Sequence, residues 1–105
     1  MVAIAGVLQE ELERLRAAEQ SYRKEIAALS KGSIQRKRIK GREYSYLAFR
    51  SAGKVVSRYL GRLSSEDIEK LGKEIELRRK QEQMLRRVKK DILQIERMLG
   101  GRNPA

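Results

Sequence analysis

Residues 44 to 60 read Tyr44-Ser45-Tyr46-Leu47-Ala48-Phe49-Arg50-Ser51-Ala52-Gly53-Lys54-Val55-Val56-Ser57-Arg58-Tyr59-Leu60. The first seven alternate with a period of two, and Val55 to Leu60 is β-branched and aromatic, the composition of strands. Ser51-Ala52-Gly53 is a tight turn between them, and Lys40-Gly41-Arg42 makes an earlier turn after the run Ile34 to Ile39. The spacing predicts a three-stranded antiparallel meander over residues 31–62. If the second loop closes Ser51 against Lys54, then Leu47 and Phe49 share one face with Val56, Leu60 and Ile34. Tyr44, Tyr46, Arg50, Ser57 and Tyr59 then occupy the other. A slip of one residue would exchange the faces.

On either side the period lengthens to that of helices. Leu8, Leu12, Leu15, Tyr22, Ile26 and Leu29 recur at fours and threes, with Glu19 interrupting, which predicts a helix over 1–30 ended by Lys31-Gly32-Ser33. Beyond the meander, Ser64-x-x-Asp67 has the form of a capping box. Ile68, Leu71, Ile75, Leu85, Val88, Ile92, Ile95 and Leu99 then make an apolar stripe through a helix over 63–99, with 100–105 left as a flexible tail. Glu66–Lys70, Glu69–Lys73, Glu74–Arg78, Glu76–Lys80 and Glu82–Arg86 are i,i+4 pairs with the acid first, the better order. Gly72 and the polar stretch from Arg78 to Gln83 weaken the stripe locally.

A meander this small is not stable alone in water, so its aliphatic face must cover itself on the helices it joins. The fold expected is α+β and mostly helical: one domain of 105 residues with two long antiparallel coiled-coil helices flanking a basic three-stranded antiparallel meander. Such spans make it roughly 55–65% helical, against about a third in an ordinary domain. Leu77, Met84 and Met98 lie beside the second helix's stripe, and predict a homodimer or higher oligomer joined through the helices.

Composition narrows the function. The chain has no cysteine and no histidine, which removes disulfides, Cys/His metal sites and imidazole or thiol catalysis. Met1 to Leu8 is mildly apolar but soon meets Glu10 and Glu11, so it reads as neither a leader nor a membrane span. The basic groups sit on strands without an apolar face to insert, so a membrane surface is not the expected partner. Lys31-Gly32-Ser33 lacks the frame of a phosphate loop. Glu66 and Asp67 are explained by the helix start. The expectation is a cytoplasmic binding protein, not an enzyme, with no cofactor, no metal and no small-molecule substrate.

Charge is distributed unevenly along the chain. The net is −1 over residues 1–30, +9 over 31–62 and +3 over 63–105, summing to +11. In the middle third, ten basic residues face Glu43 alone. Edge strands defended against aggregation need one or two such groups. Ten predict contact with phosphates, each of which releases a counterion when neutralised. Arginine on a β-ribbon also suits the major groove. Tyrosines interleaved with arginine on one face suit base stacking, and suit half-buried sheet packing equally well.

The string K-G-S-I-x-x-K-R-I-K-G-R-x-Y-x-Y-L-x-F-R-x-x-G-K-V-V-S-R-Y-L-G, from Lys31 to Gly61, resembles the core of a family of small uncharacterised bacterial and archaeal proteins. A similar Y-x-Y-L…R-x-x-G-K…R-Y-L-G segment occurs near the N-terminus of some transposases, and the segment is similar to arm-type DNA-binding domains of phage integrases. Those integrase domains lay a three-stranded sheet against DNA. The resemblance implies DNA, ahead of RNA, as partner. The residues it implicates are Arg36, Lys37, Arg38, Lys40, Arg42, Tyr44, Tyr46, Arg50, Lys54 and Arg58. It further implies a role accessory or regulatory to a mobile element. With no catalytic domain after the motif, only binding carries over. The alternative is a structural or adaptor coiled coil whose basic head binds an acidic protein.

Overall fold

The computed structural model describes residues 4–100, of which 62% are helical. The elements follow in the expected order: helix α1 (Ile4–Ala27), strands β1 (Ser33–Ile39), β2 (Arg42–Ser51) and β3 (Lys54–Gly61), and helix α2 (Ser65–Gly100). Residues 101–105 of the expected tail, and the helix start before Ile4, lie outside the described residues.

Each helix forms for the reason its sequence gives. In α1 the threes and fours bury Leu12, Leu15 and Ile26 and half-bury Leu8 and Tyr22. At the start of α2 the Ser64 hydroxyl accepts the Asp67 amide at 3.1 Å, and the Ser64 carbonyl accepts that of Ile68 at 3.0 Å. All eight stripe residues from Ile68 to Leu99 are buried or half-buried. Glu66–Lys70 and Glu69–Lys73 form at 3.5 Å each.

The described residues divide into two compact units: those up to Ala28 together with those from Lys80, and Leu29–Arg79. The boundary inside α2 falls in the polar stretch where the apolar stripe is weakest. In the first unit α1 and the end of α2 run antiparallel, and Arg16 donates to Glu96 at 2.8 Å. Leu12, Leu15, Ile26 and Val88 are its buried residues.

The second unit holds the sheet, in strand order β1-β2-β3. Both hairpins close through two-residue loops, Lys40-Gly41 and Ala52-Gly53, with φ of 52° and 78° in the first and 52° and 79° in the second. Positive φ at both central residues marks the type I′ turn, whose twist matches that of the strands. Ser51 therefore pairs with Lys54, and Ile34 pairs with Leu47. The register is the one the loop lengths imply, and the paired residues of both sets lie on the faces expected of them; Leu60, expected beside Leu47, has no opposite residue. Leu47 and Ile75 are the buried apolar residues of this unit, and Ile34 borders a cleft with Gly72 and Ile75.

One boundary differs. The helix expected to reach residue 30 ends at Ala27 because Ser30 finds a better partner than another helical turn. Its amide and hydroxyl donate to Glu74 Oε1 at 2.8 and 3.1 Å. Arg78 donates to the Leu29 carbonyl at 2.7 Å and Arg79 to that of Gly32 at 3.1 Å. Glu74 and Arg78, expected as an i,i+4 pair on a solvated face, also hold the segment entering the sheet. Gly32 does more than stop a helix: at φ 117° it sits so close to β2 that a Cβ would fall 2.3 Å from the Ala48 carbonyl oxygen.

Candidate nucleic-acid interface

Strand alternation sorts the ten candidate residues into two groups. Lys37 pairs opposite Tyr44, and Tyr46 lies between Gln35 on β1 and Tyr59 on β3. With Arg50 these form the outward face. Arg36, Arg38, Lys54 and Arg58 belong to the face of Leu47, at the rims of β1 and β3. Lys40 is the apex of the first loop, and Arg42 opens β2.

The outward face is built around an aromatic cluster. The Tyr59 ring lies 6.1 Å from Tyr44 and 5.4 Å from Tyr46, tilted by 50° and 49°. The Lys37 ammonium sits 4.9 Å from the Tyr46 ring centroid, an attraction between cation and ring that fixes both. Tyr44 and Tyr46 are half-buried, while Tyr59 is 52% and Val55 66% exposed. Packing and presentation are therefore both present: the rings support one another laterally and leave flat surface to solvent. Tyr59 belongs to the cluster although it was not among the ten candidates. Its signal was in the sequence, since closing Ser51 against Lys54 puts it beside Tyr46.

The basic groups are nearly all free to meet an anion. Arg36 approaches Glu43, the one acid of the meander, at 3.9 Å, with both side chains more than half exposed. An exposed pair at that distance is worth little. Lys31 is committed elsewhere: it donates to the Arg50 carbonyl at 2.8 Å and lies 5.9 Å from the Phe49 ring. At the first loop, β1 and β2 run on together beyond Ser45, the last residue of β2 paired with β3. The result is a two-stranded finger carrying Lys37, Arg38, Lys40 and Arg42, with Ile39 48% exposed among them. A two-stranded ribbon of that kind fits the width of a major groove. Among the described residues no cluster of acidic side chains could hold a metal ion, and no helix is long and apolar enough to cross a membrane.

Residues 4–70 match the family described as Domain of unknown function (DUF6788). That span takes in α1, the whole meander and the first turn of α2, well beyond the Lys31–Gly61 segment. No curated protein and no solved structure matches the chain.

Proposed function

The chain belongs to the DUF6788 family, and on that premise we propose that it is a nucleic-acid-binding module whose target is duplex DNA. The observation that carries the reading is the outward face of the sheet, where Tyr44, Tyr46 and Tyr59 form one cluster and Lys37 lies against it. A sheet face that needed only to be soluble would carry scattered polar groups. This one combines flat rings for bases and sugars with cations for phosphates. The basic finger from Lys37 to Tyr44 enters the groove while Arg50 and the rim arginines follow the backbone. The likeness of the Lys31–Gly61 segment to transposase N-termini and integrase arm domains supports DNA over RNA, and a role accessory to a mobile element. The helices carry the second half of the proposal, a homodimer. Met84, Leu93 and Met98 are 42%, 49% and 55% exposed on α2 within one compact unit, and Leu77 is 46% exposed further along the same helix.

A labelled duplex titrated at several salt concentrations tests the first half. Binding is expected at low salt with a log–log slope of roughly −4 to −5, about −0.9 for each of some five phosphates contacted. Absence of binding to DNA and RNA at low salt overturns it and leaves the acidic-protein adaptor. Sedimentation equilibrium tests the second half: a monomer at high micromolar concentration ends the dimer.

A further inference from the structure

The pairing of β2 with β3 is irregular at one point. Tyr46 pairs with Tyr59, but Ser45 pairs with Gly61, so Leu60 has no opposite number and β3 turns out of the sheet at Gly61, at φ 75°. A bulge of this kind bends its strand and ends the pairing. Where β3 leaves, a cleft of about 440 Å³ opens between β2 and the first turn of α2. Three arginines far apart in sequence line it: Arg36 from β1, Arg42 from the start of β2, and Arg62 just after β3. Glu43 also lines it, which leaves a surplus of two positive charges around one cleft.

The wall between these arginines contains Ser45, only 6% exposed and the one buried polar residue among the described residues. Its hydroxyl meets no hydrogen-bond partner among the described residues. Ser45 lines the cleft, and its hydroxyl can donate to an anion there. Tyr44 and Ile68 supply flat and apolar surface beside it, and the volume lies within the range of small-ligand sites.

We propose that this cleft is an oxyanion site that takes the phosphate of a single nucleotide. The guanidinium forks of Arg42 and Arg62 bind the phosphate oxygens, the Ser45 hydroxyl donates to one of them, and the sugar and base lie along Tyr44 and Ile68. Planar forks suit phosphate because they can donate two parallel hydrogen bonds. The phosphate comes from a free nucleotide or from a strand end. The cleft shares Arg42 and Tyr44 with the proposed duplex-binding surface, but it needs no duplex, so a mononucleotide tests it whether or not the tyrosine face binds DNA.

The test is an amide-resolved NMR titration of the full chain with adenosine monophosphate, then inorganic phosphate, against sodium chloride at matched ionic strength. Saturable shifts confined to the surroundings of Ser45, Gly61 and Arg62 are expected with both phosphates and not with chloride. Arg62→Ala should weaken adenosine monophosphate by about tenfold or more, and Ser45→Ala by about fivefold, as hydrogen bonds to a charged and from a neutral group differ. Ser45→Ala should leave the melting temperature unchanged or raise it, since the hydroxyl has no partner to lose; a role in holding the fold would lower it. Lys24→Ala, on α1, should change nothing. Duplexes with and without a 5′-phosphate separate the sources: a gain from the phosphate that Arg62→Ala abolishes identifies a strand end, and its absence identifies the free nucleotide. Shifts that grow linearly and spread over the exposed lysines and arginines, or no shifts at all, overturn the site.

Discussion

The two faces of the sheet carry similar cations in different company. On one, Lys37 and Arg50 stand among Tyr44, Tyr46 and Tyr59. On the other, Arg36, Arg38, Lys54 and Arg58 fringe Leu47, Phe49, Ile34 and Val56. The second face is organised by burial, for Leu47 is only 8% exposed and its cations are pushed to the rim. The first is organised by ring contacts, which hold side chains in place without hiding them. Cations of the same sign are therefore held differently: the rim arginines also keep open strand edges in water, while Lys37 is fixed against the rings of the surface.

The sharpest way to break that contrast is Leu47→Ala. It removes the buried centre of one face and should cost about 2–5 kcal/mol of stability, read by chemical denaturation. Equal loss from Tyr46→Ala would make the two faces alike. Tyr46→Ala is expected instead to lower nucleic-acid affinity by about 1–3 kcal/mol with little change in stability. A smaller effect divides the cations. Lys37→Ala with Arg50→Ala should flatten the salt dependence of DNA binding by up to about 2, at about 0.9 per phosphate contact, and Arg38→Ala with Arg58→Ala by less. If the rim pair matters as much, both faces touch the ligand. The smallest change concerns the turn that sets the register of both faces. Ala52 occupies the left-handed region, where an L-residue loses about 1–2 kcal/mol, and asparagine is tolerated better. Ala52→Asn should therefore raise stability by roughly 0.5–1 kcal/mol without altering binding.

Most of this frame was legible because it is local. Two glycines, Gly41 and Gly53, fix two-residue loops, and the loops fix which residues face which way. The helices followed from their stripes for the same reason. What escaped were contacts made across the chain. Glu74 looked like half of an i,i+4 pair, and only the fold brings it 44 residues back to Ser30. The cleft was hidden because the bulge opposite Ser45 has no sequence mark except Gly61, a residue with other uses. Arg62 lies one residue beyond the Lys31–Gly61 segment, so the resemblance implies nothing for it. Ser45 reads in sequence as filler between two tyrosines.

The two loops also say something about time. Each strand pairs with its immediate neighbour through two residues, so the sheet can zip from its turns without waiting for a distant partner, and hairpins close in about 1–10 μs. The late event is the one that spans the chain: Glu74 has to reach Ser30, with the whole meander between them. Closing that loop demands an ordered meander and an α2 long enough to present its carboxylate. In refolding, therefore, Tyr46 and Tyr59 should come together before Ser30 finds Glu74, and Glu74→Gln should speed unfolding while leaving the early folding of the hairpins untouched.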